Sequence, residues 1–443
     1  MRLPKTPPQI EQILAGLTPE RQMQLFATQL PPHHAYRHWD KLRYLSAPEG
    51  VTHEEWWCLL KIQRKGHAKP IPLKDRQGVP FTNYQTELMN KAVHKIDLGA
   101  GGAIGIPEPV TNEETKNYYY VNSLMQEAIT SSQLEGAAVT REVAKEMIRT
   151  KRKPVSVHER MIINNYRTME RLREWKEIPL SPALIYEIHK VITEGTLENP
   201  DASGRLRKEK EVVDIVDVRD GEIMHTLPSA SELPERLQLL CDFANTEEQD
   251  SFTHPVVKAI ILHFWLAYDH PFVDGNGRTA RALFYWSLLR SGFWLFEYLS
   301  ISQILVKAPA KYARSFLYTE TDDNDLNYFI HYQLEVIQKS VEKLHQYIEF
   351  KSSQVNEMRG SLRKLRVPLN YRQEALIQKA VREPHTTFTI ASHQRSHRIA
   401  YGTARSDLLY LETQGFLESQ KQGKTHYFYP VTDLAEKMKG KSL

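Results

Sequence analysis

Residues 269–281 read DHPFVDGNGRTAR and lie between two strongly apolar segments. The segment before them, residues 255–268, reads PVVKAIILHFWLAY, and the segment after them, residues 282–289, reads ALFYWSLL. Both segments are apolar nearly all round, which is typical of buried helices. A polar loop between two buried helices must satisfy its polar groups, so this stretch predicts a binding site.

The loop combines several features that bind anions. Gly275 and Gly277 allow backbone conformations closed to other residues and let a ligand approach the main chain. A helix that begins at Thr279 would direct its unpaired N–H groups and its positive dipole end into the loop. Arg278 and Arg281 lie three residues apart and add positive charge on one face of the first turn. The stretch therefore predicts a phosphate-binding nest.

Two further side chains of the loop carry chemistry. Asp274 is suited to Mg²⁺, which binds one or two carboxylates together with phosphate oxygens. His270 is the candidate general base, because an imidazole titrates near neutrality. A calcium-binding loop is excluded by spacing: counted from Asp274, positions five, six and twelve are Arg278, Thr279 and Tyr285. A calcium loop requires Asp or Asn, Gly and Glu at those positions.

The stretch resembles the Fic family signature, H-x-F-x-[D/E]-G-N-G-R-x-x-R, and it matches this signature at every fixed position. The resemblance extends from about residue 114 to about residue 332. Fic proteins are mostly α-helical and mostly transfer AMP from ATP to a hydroxyl of a target protein. The resemblance therefore implies a mainly α fold, with an all-helical Fic core and a small β-hairpin flap, and an adenylyltransferase activity that uses Mg²⁺.

The resemblance also implies a role for each loop residue. His270 would deprotonate the target hydroxyl, and Phe272 would anchor the loop in the core. Asp274 would hold Mg²⁺ between the α- and β-phosphates, while Arg281 would hold the γ-phosphate. The remaining phosphate contacts would come from Gly275, Asn276, Gly277 and Arg278.

A second motif lies upstream, in a helical pattern, and reads SSQLEG over residues 131–136. Ser131 and Glu135 share a helix face, and Gly136 is able to end the helix. The motif resembles the inhibitory motif of some Fic proteins, [S/T]-x-x-x-E-[G/N]. The resemblance implies an inhibitory helix over about residues 125–137, in which Glu135 pairs with Arg281 and takes the place of the γ-phosphate.

A short hairpin is predicted between the two motifs. Residues 212–218 are β-branched and partly alternating, Asp220-Gly221 is a turn signal, and the return strand is Ile223-Met224-His225. The hairpin looks like the Fic flap, which covers the nucleotide and aligns a target segment by strand addition. By the same similarity Tyr312 falls where family members contact the adenine; packing in the core is the alternative for this residue.

The chain divides into three parts. Residues 1–105 are predicted to form an N-terminal helical region whose aromatic residues pack in its core or against the next domain. Residues 106–350 form the Fic catalytic domain, which a long amphipathic helix closes before a linker near residues 352–366. Residues 367–443 follow the order of a winged helix-turn-helix: helix, short apolar stretch, two helices and two strand-like pieces.

The C-terminal segment carries the positive charge. Residues 351–443 hold 16 Lys and Arg against 8 Asp and Glu, a net +8, in a chain whose overall net charge is +4. Arg405 lies near the start of the predicted recognition helix, and Lys421 and Lys424 lie in the predicted wing. DNA is therefore the predicted partner of this segment, and protein docking or dimerisation is the alternative.

Composition limits the remaining possibilities. The chain has 443 residues and two distant cysteines in apolar surroundings, Cys58 and Cys241, which indicates buried thiols in a reducing cytoplasm. The N-terminus has no apolar signal segment, and no apolar run approaches the length that spans a bilayer. We expect a cytoplasmic enzyme with ATP and a protein hydroxyl, including its own, as partners; a homodimer is left open.

The predicted function is AMP transfer to a Tyr, Ser or Thr hydroxyl, with self-inhibition by Glu135. Some Fic relatives instead use the inhibitory glutamate to remove AMP, or transfer UMP, phosphocholine or phosphate. The intact DGNG sequence with both arginines favours AMP transfer from a nucleoside triphosphate. The alternative from a different class is a DNA-binding regulator whose Fic core senses a nucleotide.

Overall fold

Helices form most of the chain, which confirms the predicted mainly α fold class. The structure is a computed structural model, and it describes residues 2–28, 36–101, 116–211, 215–216, 223–246, 252–365, 367–384, 386–422, 425–434 and 437. No helix within these ranges is both long enough and apolar enough to cross a membrane.

The N-terminal region combines five helices with one antiparallel hairpin. In chain order its elements are α1 (Ile10–Ala15), α2 (Pro19–Ala27), α3 (Trp39–Leu42), α4 (His53–His67), β1 (Lys69–Lys74), β2 (Pro80–Asn83) and α5 (Glu87–Ile96). The hairpin is an element of this N-terminal helical region that the sequence analysis did not predict. Its turn is stabilised by Asp75, whose Oδ1 accepts the N–H groups of Gln77 and Val79, both at 2.9 Å, and by Gly78 at φ +81°.

The central region holds the apolar core of the molecule. Its elements are α6 (Lys116–Leu134), α7 (Arg141–Thr150), α8 (Val157–Trp175), α9 (Pro182–Thr193), β3 (Ile215–Val216), β4 (Ile223–His225), α10 (Leu233–Asn245), α11 (Pro255–Asp269), α12 (Asn276–Arg290), α13 (Ser302–Leu305), α14 (Pro309–Thr321) and α15 (Asn327–Leu365). Helices α11 and α12 pack against each other and are buried along almost their whole length. The loop between them is therefore held by the most rigid part of the fold.

Two predicted helix boundaries are wrong. Helix α12 begins at Asn276, three residues before the predicted start at Thr279, because Gly275 adopts φ +82° and serves as its N-cap. Helix α15 continues to Leu365, through the predicted linker. It ends shortly before Pro368, since proline disfavours helical conformation in the residue that precedes it.

The C-terminal region has a separate apolar core and a three-stranded sheet. Its elements are α16 (Tyr371–Arg382), β5 (Phe388–Thr389), α17 (Ile390–His397), α18 (Tyr401–Thr413), β6 (Leu417–Gln422) and β7 (Thr425–Pro430), and the sheet order is β5-β7-β6. This is the element order expected of a winged helix-turn-helix. Its assignment as such and its DNA partner stay predictions, and Lys424 lies outside the described residues.

A buried carboxylate joins the three helices of this region. Asp407 on α18 accepts hydrogen bonds from Asn370 Nδ2 at 2.9 Å, from Arg372 Nε at 2.7 Å and from His393 Nε2 at 3.0 Å. Burial alone would raise the pKa of Asp407, but the bonds to His393 and Arg372 hold it well below its usual range. The carboxylate therefore remains charged and fixes the packing of α16, α17 and α18.

Replacing Asp407 by Ala should destabilise the C-terminal region, because Arg372 would keep a half-buried charge without its partner. We expect a loss of about 3–5 kcal/mol, the range for one partner removed from a buried ion pair, measured by urea unfolding. The control is Asp433→Ala, which removes an exposed pair with Lys437 and should cost under about 1 kcal/mol. Equal effects of the two substitutions would contradict the role of Asp407.

Candidate active site

The loop that connects α11 to α12 is shaped by its own side chains. His270 ends α11 in the left-handed conformation at φ +46°, and Gly275 turns the chain again before α12. Asn276 Oδ1 accepts the N–H of Phe272 at 2.9 Å, while its Nδ2 donates to the carbonyl of Phe272 at 2.8 Å. The Asn276 side chain is thus committed to the loop itself, and only its main chain is left for a phosphate.

Helix α9 forms the floor beneath this loop. The ring of His189 stacks on Phe272 with centroids 3.7 Å apart, and Arg278 Nη1 donates to the Ile192 carbonyl at 3.2 Å. Burial lowers the pKa of His189 to about 4, so this ring is neutral near neutral pH. Sequence analysis missed His189, because a lone histidine in an apolar helix is not distinguishable from a core residue.

His270 is arranged as a base. Its Nδ1 lies 3.3 Å from the Ala267 carbonyl, and a carbonyl can only accept, so Nδ1 carries the proton and Nε2 has a free lone pair. Burial lowers the pKa of His270 to about 4, since a charged imidazolium loses its hydration there. The imidazole is therefore neutral near neutral pH and able to accept a proton.

Arg278 lies buried at the first turn of α12 with incomplete hydrogen bonding. Its Nη2 is 3.5 Å from Asp274 Oδ2, yet neither Nη2 nor Nε forms a hydrogen bond within the described part of the chain. Burial lowers the pKa of Arg278. Buried guanidinium nitrogens without acceptors are costly, and a bound anion would supply acceptors for them.

Asp274 is the accessible carboxylate of the site. Its side chain is 56% exposed, and its Oδ1 accepts the N–H of Gly275 at 2.5 Å. A single carboxylate beside an anion-binding turn is the donor set that Mg²⁺ uses with a nucleotide phosphate. In the described ranges, no group of three or more His, Cys, Asp or Glu is placed to hold a metal by itself.

The SSQLEG motif reaches the loop from α6. Arg281 Nε donates to Ser131 Oγ at 2.8 Å, and its Nη2 donates to the Ser131 carbonyl at 3.0 Å and to Glu135 Oε1 at 2.8 Å. Burial opposes the charge of Arg281, but Glu135 outweighs it and raises the pKa of the guanidinium. The reciprocal effect of Arg281 lowers the pKa of Glu135 against its burial. The predicted pair is therefore present and fully charged.

Glu135 also lies directly against the turn that starts α12. A Cβ built on Gly277 would come 2.1 Å from Glu135 Oε1, so only glycine leaves room for the carboxylate there. Gly136 has a positive φ of +87°. This conformation prevents α6 from continuing beyond Glu135. The glutamate thus approaches the N-terminal turn of α12, where the unpaired N–H groups lie.

Sequence analysis missed the residue that anchors α6. Glu127 lies two turns before Glu135 on the same face, and it accepts Ser302 N–H at 3.1 Å, Ser302 Oγ at 2.5 Å and Ser300 Oγ at 2.8 Å. These bonds hold α6 to the start of α13. Glu127, Ser131 and Glu135 are spaced at intervals of four residues and therefore share one face of the helix. The sequence analysis recognised only Ser131 and Glu135 of this series.

Tyr312 lies half-buried among aromatic rings. Its hydroxyl is 2.8 Å from His263 Nε2, and its ring lies against Phe316 and Tyr332. Burial raises the pKa of Tyr312 and lowers that of His263 to about 3, so both groups are neutral. This placement favours the core-packing alternative, and the adenine contact stays a prediction.

The described part of the flap consists of β3 and β4, which pair antiparallel. Ile223 is exposed, Met224 is half-buried and His225 is buried. His225 does not face a target: its Nδ1 is 2.7 Å from Glu320 Oε2 and its Nε2 is 2.8 Å from the Tyr268 carbonyl. It anchors β4 to α11 and α14. The predicted Asp220-Gly221 turn lies outside the described residues.

Three comparisons with known proteins bear on this site. Residues 179–288 match the sequence model of the Fic/DOC family. Over 69 residues the chain is 41% identical to the protein named Protein adenylyltransferase Fic of Drosophila willistoni and 38% identical to that of Nematostella vectensis. These matches cover 16% of this chain and 14% and 16% of the two relatives, so the chain spans only a small part of their length.

The fold is similar to the crystal structure of a Fic family protein from Desulfovibrio desulfuricans G20. The TM-score is 0.51 at 17% sequence identity, and the similarity covers 79% of this chain and 97% of that one. At this identity the likeness concerns the fold. The match to the Fic/DOC family concerns residues 179–288, and the loop between α11 and α12 lies within this matched segment.

The pKa of His225 should lie above that of an ordinary histidine. Burial disfavours its charge, but the hydrogen bond and the charge of Glu320, together with the Tyr268 carbonyl and the charge of Asp269, outweigh burial and raise the pKa of His225 above its ordinary value. The anchor should therefore contribute its full stability below about pH 6.5 and lose it as pH rises through the raised pKa. We expect an NMR titration of the histidine rings to place the His225 midpoint above 6.5, while His189 stays neutral over the same range. A His225 midpoint at or below 6.5 would contradict this assignment.

Proposed function

We propose that the chain is an ATP-dependent protein adenylyltransferase that is restrained by Glu135. The observation that supports this proposal most strongly is Arg278 at the N-terminal turn of α12, because its buried Nε and Nη2 form no hydrogen bond with any residue that the structure describes. Guanidinium N–H groups without acceptors at a helix N-terminus favour the binding of an anion. A neutral imidazole at His270 and an accessible carboxylate at Asp274 lie in the same loop. This combination supports a reaction at a bound phosphate ester rather than simple binding of an anion.

In the proposed reaction, the hydroxyl oxygen of the target attacks the α-phosphorus of ATP. His270 Nε2 takes the hydroxyl proton as the new P–O bond forms. The bond from the α-phosphorus to the bridging oxygen of the β-phosphate breaks, so AMP remains on the target and pyrophosphate leaves. Arg278 and the N–H groups at the start of α12 hold the phosphates in line, and positioning of this kind accounts for much of the rate in phosphoryl-type transfers.

The residues present fit a requirement for Mg²⁺. Asp274 would hold the ion, because its carboxylate is accessible and lies beside Arg278 at the phosphate-binding turn. When bound, Mg²⁺ would neutralise charge on the phosphate oxygens. The protein's own part is to orient this carboxylate, which the Gly275 N–H does through its hydrogen bond to Oδ1.

Glu135 would inhibit this reaction by competing for Arg281. Its carboxylate takes one N–H of the guanidinium and lies against Gly277. A γ-phosphate that used Arg281 would have to displace this carboxylate, since two anions repel each other at one guanidinium. With Glu135 in place, ATP would bind with its α-phosphate out of line. The target itself would align along the β4 main chain, where Ile223 is exposed and Met224 is half-buried.

Glu135→Gly should raise transfer from α-labelled ATP to protein, including self-labelling, by at least tenfold, equivalent to about 1.4 kcal/mol in the barrier. The substitution frees Arg281 and leaves the loop unchanged. Arg281→Ala is the matched control, and it should not reproduce the gain, because it removes the inhibitory contact and the γ-phosphate site together. If Glu135→Gly labels protein no faster than the wild type, the inhibitory role is wrong.

The double variant Glu135→Gly/His270→Ala tests the base. It should lose the label while it keeps its nucleotide affinity, since the change removes the proton acceptor and not the phosphate contacts. Undiminished labelling would exclude His270 as the base.

The same assay separates the two alternatives. Loss of the ability to strip AMP from labelled protein in Glu135→Gly would show that Glu135 also supports removal of AMP. No label in the variant with a cell lysate would favour a nucleotide-sensing regulator.

A further inference from the structure

His189 contacts three separate parts of the site region at once. Its ring stacks on Phe272 at an interplanar angle of 6°. Its Nε2 lies 2.8 Å from the carbonyl of Asp274, and its Nδ1 lies 3.0 Å from the N–H of Gly204. The side chain is fully buried. It therefore links the catalytic loop to the chain segment that follows α9.

These contacts determine which nitrogen carries the proton. The Gly204 N–H can only donate, so Nδ1 must accept. The Asp274 carbonyl can only accept, so Nε2 must donate. One neutral tautomer, with the proton on Nε2, satisfies both bonds. An Asn or Gln side chain could make one of the two bonds but not both.

The hydrogen bond from His189 to the Asp274 carbonyl lies next to a sterically restricted turn of the backbone. The next residue, Gly275, adopts φ +82°, and a Cβ there would come 2.8 Å from Thr193 Cγ2 and 3.5 Å from the His189 ring. The turn at Gly275 thus packs directly against helix α9. The Asp274 side chain is 56% exposed, and its Oδ1 accepts the N–H of the next residue, Gly275, at 2.5 Å. Because the carboxylate is oriented by the main chain of its own turn, its direction depends on the backbone that His189 holds.

We propose that His189 is a positioning residue that sets the direction of the Asp274 carboxylate for Mg²⁺-bound nucleotide. This inference rests on the proposed function for the metal and the nucleotide. His189 does not touch the reacting atoms; it acts through the Asp274 carbonyl. Groups that orient a metal ligand in this way typically change metal affinity or activity by about 10- to 100-fold when they are replaced.

Two amide substitutions separate the two hydrogen bonds. Asn places its oxygen near the position of Nδ1 and can accept from Gly204, but it does not reach Asp274. Gln places its nitrogen near the position of Nε2 and can donate to Asp274. Both variants are made in the Glu135→Gly background, so that transfer is measurable. His38→Asn is the control, because His38 is an equally buried histidine whose ring nitrogens bond Thr321 and the Asp40 N–H instead of the loop.

The readout is nucleotide affinity by calorimetry, with ATP in Mg²⁺ and with ATP in EDTA, together with the Mg²⁺ concentration that gives half-maximal binding. His189→Asn should raise that concentration at least tenfold and leave the affinity in EDTA within about twofold. His189→Gln should stay close to the parent, and His38→Asn should match the parent. The transfer rate should follow the same order.

Three results would overturn the proposal. One is an unchanged Mg²⁺ dependence in His189→Asn. Another is an equal loss of affinity in Mg²⁺ and in EDTA, which would indicate a purely structural role. The third is a His189→Gln variant as impaired as His189→Asn. If the Glu135→Gly parent binds MgATP but transfers no AMP, the proposed reaction fails while the role of His189 in Mg²⁺-dependent binding is still decided by these measurements.

Discussion

The N–H groups of a buried guanidinium need hydrogen-bond acceptors, and Arg281 is buried at the centre of the site. This requirement is the main constraint on how the helices around the site pack. The Arg281 guanidinium is buried on α12, where bulk water cannot solvate it. Ser131 and Glu135 supply the acceptors from α6. Once this contact exists, α6 must lie across the start of α12, and Gly277 must lack a side chain to admit the carboxylate. A contact that stabilises the resting protein thus occupies a position that a nucleotide phosphate would use.

The rest of the scaffold keeps α6 in place. Glu127 bonds the helix to the start of α13. Ser132 Oγ donates to the Met161 carbonyl at 3.3 Å, and Asn165 Nδ2 donates to the Ala128 carbonyl at 3.4 Å. Hydrogen bonds to two other elements, the start of α13 and helix α8, thus hold α6 in the core. The carboxylate of Glu135 is 28% exposed at the edge of this arrangement, so it can be displaced without moving the helix.

The C-terminal region also packs on the helices around the motif. Arg398 pairs with Glu170 of α8 at 2.7 Å and lies 4.7 Å above the ring of Tyr120 on α6. Arg395 donates to the carbonyl of Arg149 at the end of α7. Arg395 and Arg398 of this basic region therefore contact the helices around the motif, while Arg405 on α18 is exposed.

Much of the site could be predicted because its chemistry is concentrated in two short motifs. The loop and the two buried helices follow from residue types at fixed spacing, and the pair of Glu135 with Arg281 follows from the family resemblance. The contacts of Ser131 with Arg281 were not predicted. The start of α12 could not be placed, because it depends on the positive φ of Gly275. His189 and Glu127 were missed for a different reason. Each is a single polar residue in a helix, and its contact with the site or its supporting helix is made by a partner more than eighty residues away in sequence. The hairpin of β1 and β2 was hidden by prolines within its strands.

The central claim is that Glu135 and the γ-phosphate compete for Arg281. The most direct test compares the dissociation constants of ATP and ADP for the wild type and for Glu135→Gly under the same Mg²⁺ and salt conditions. The account predicts that the substitution tightens ATP binding at least about fivefold more than ADP binding, about 1 kcal/mol, because only ATP has the γ-phosphate that gains Arg281. Equal changes for ATP and ADP, or none for either, would contradict it.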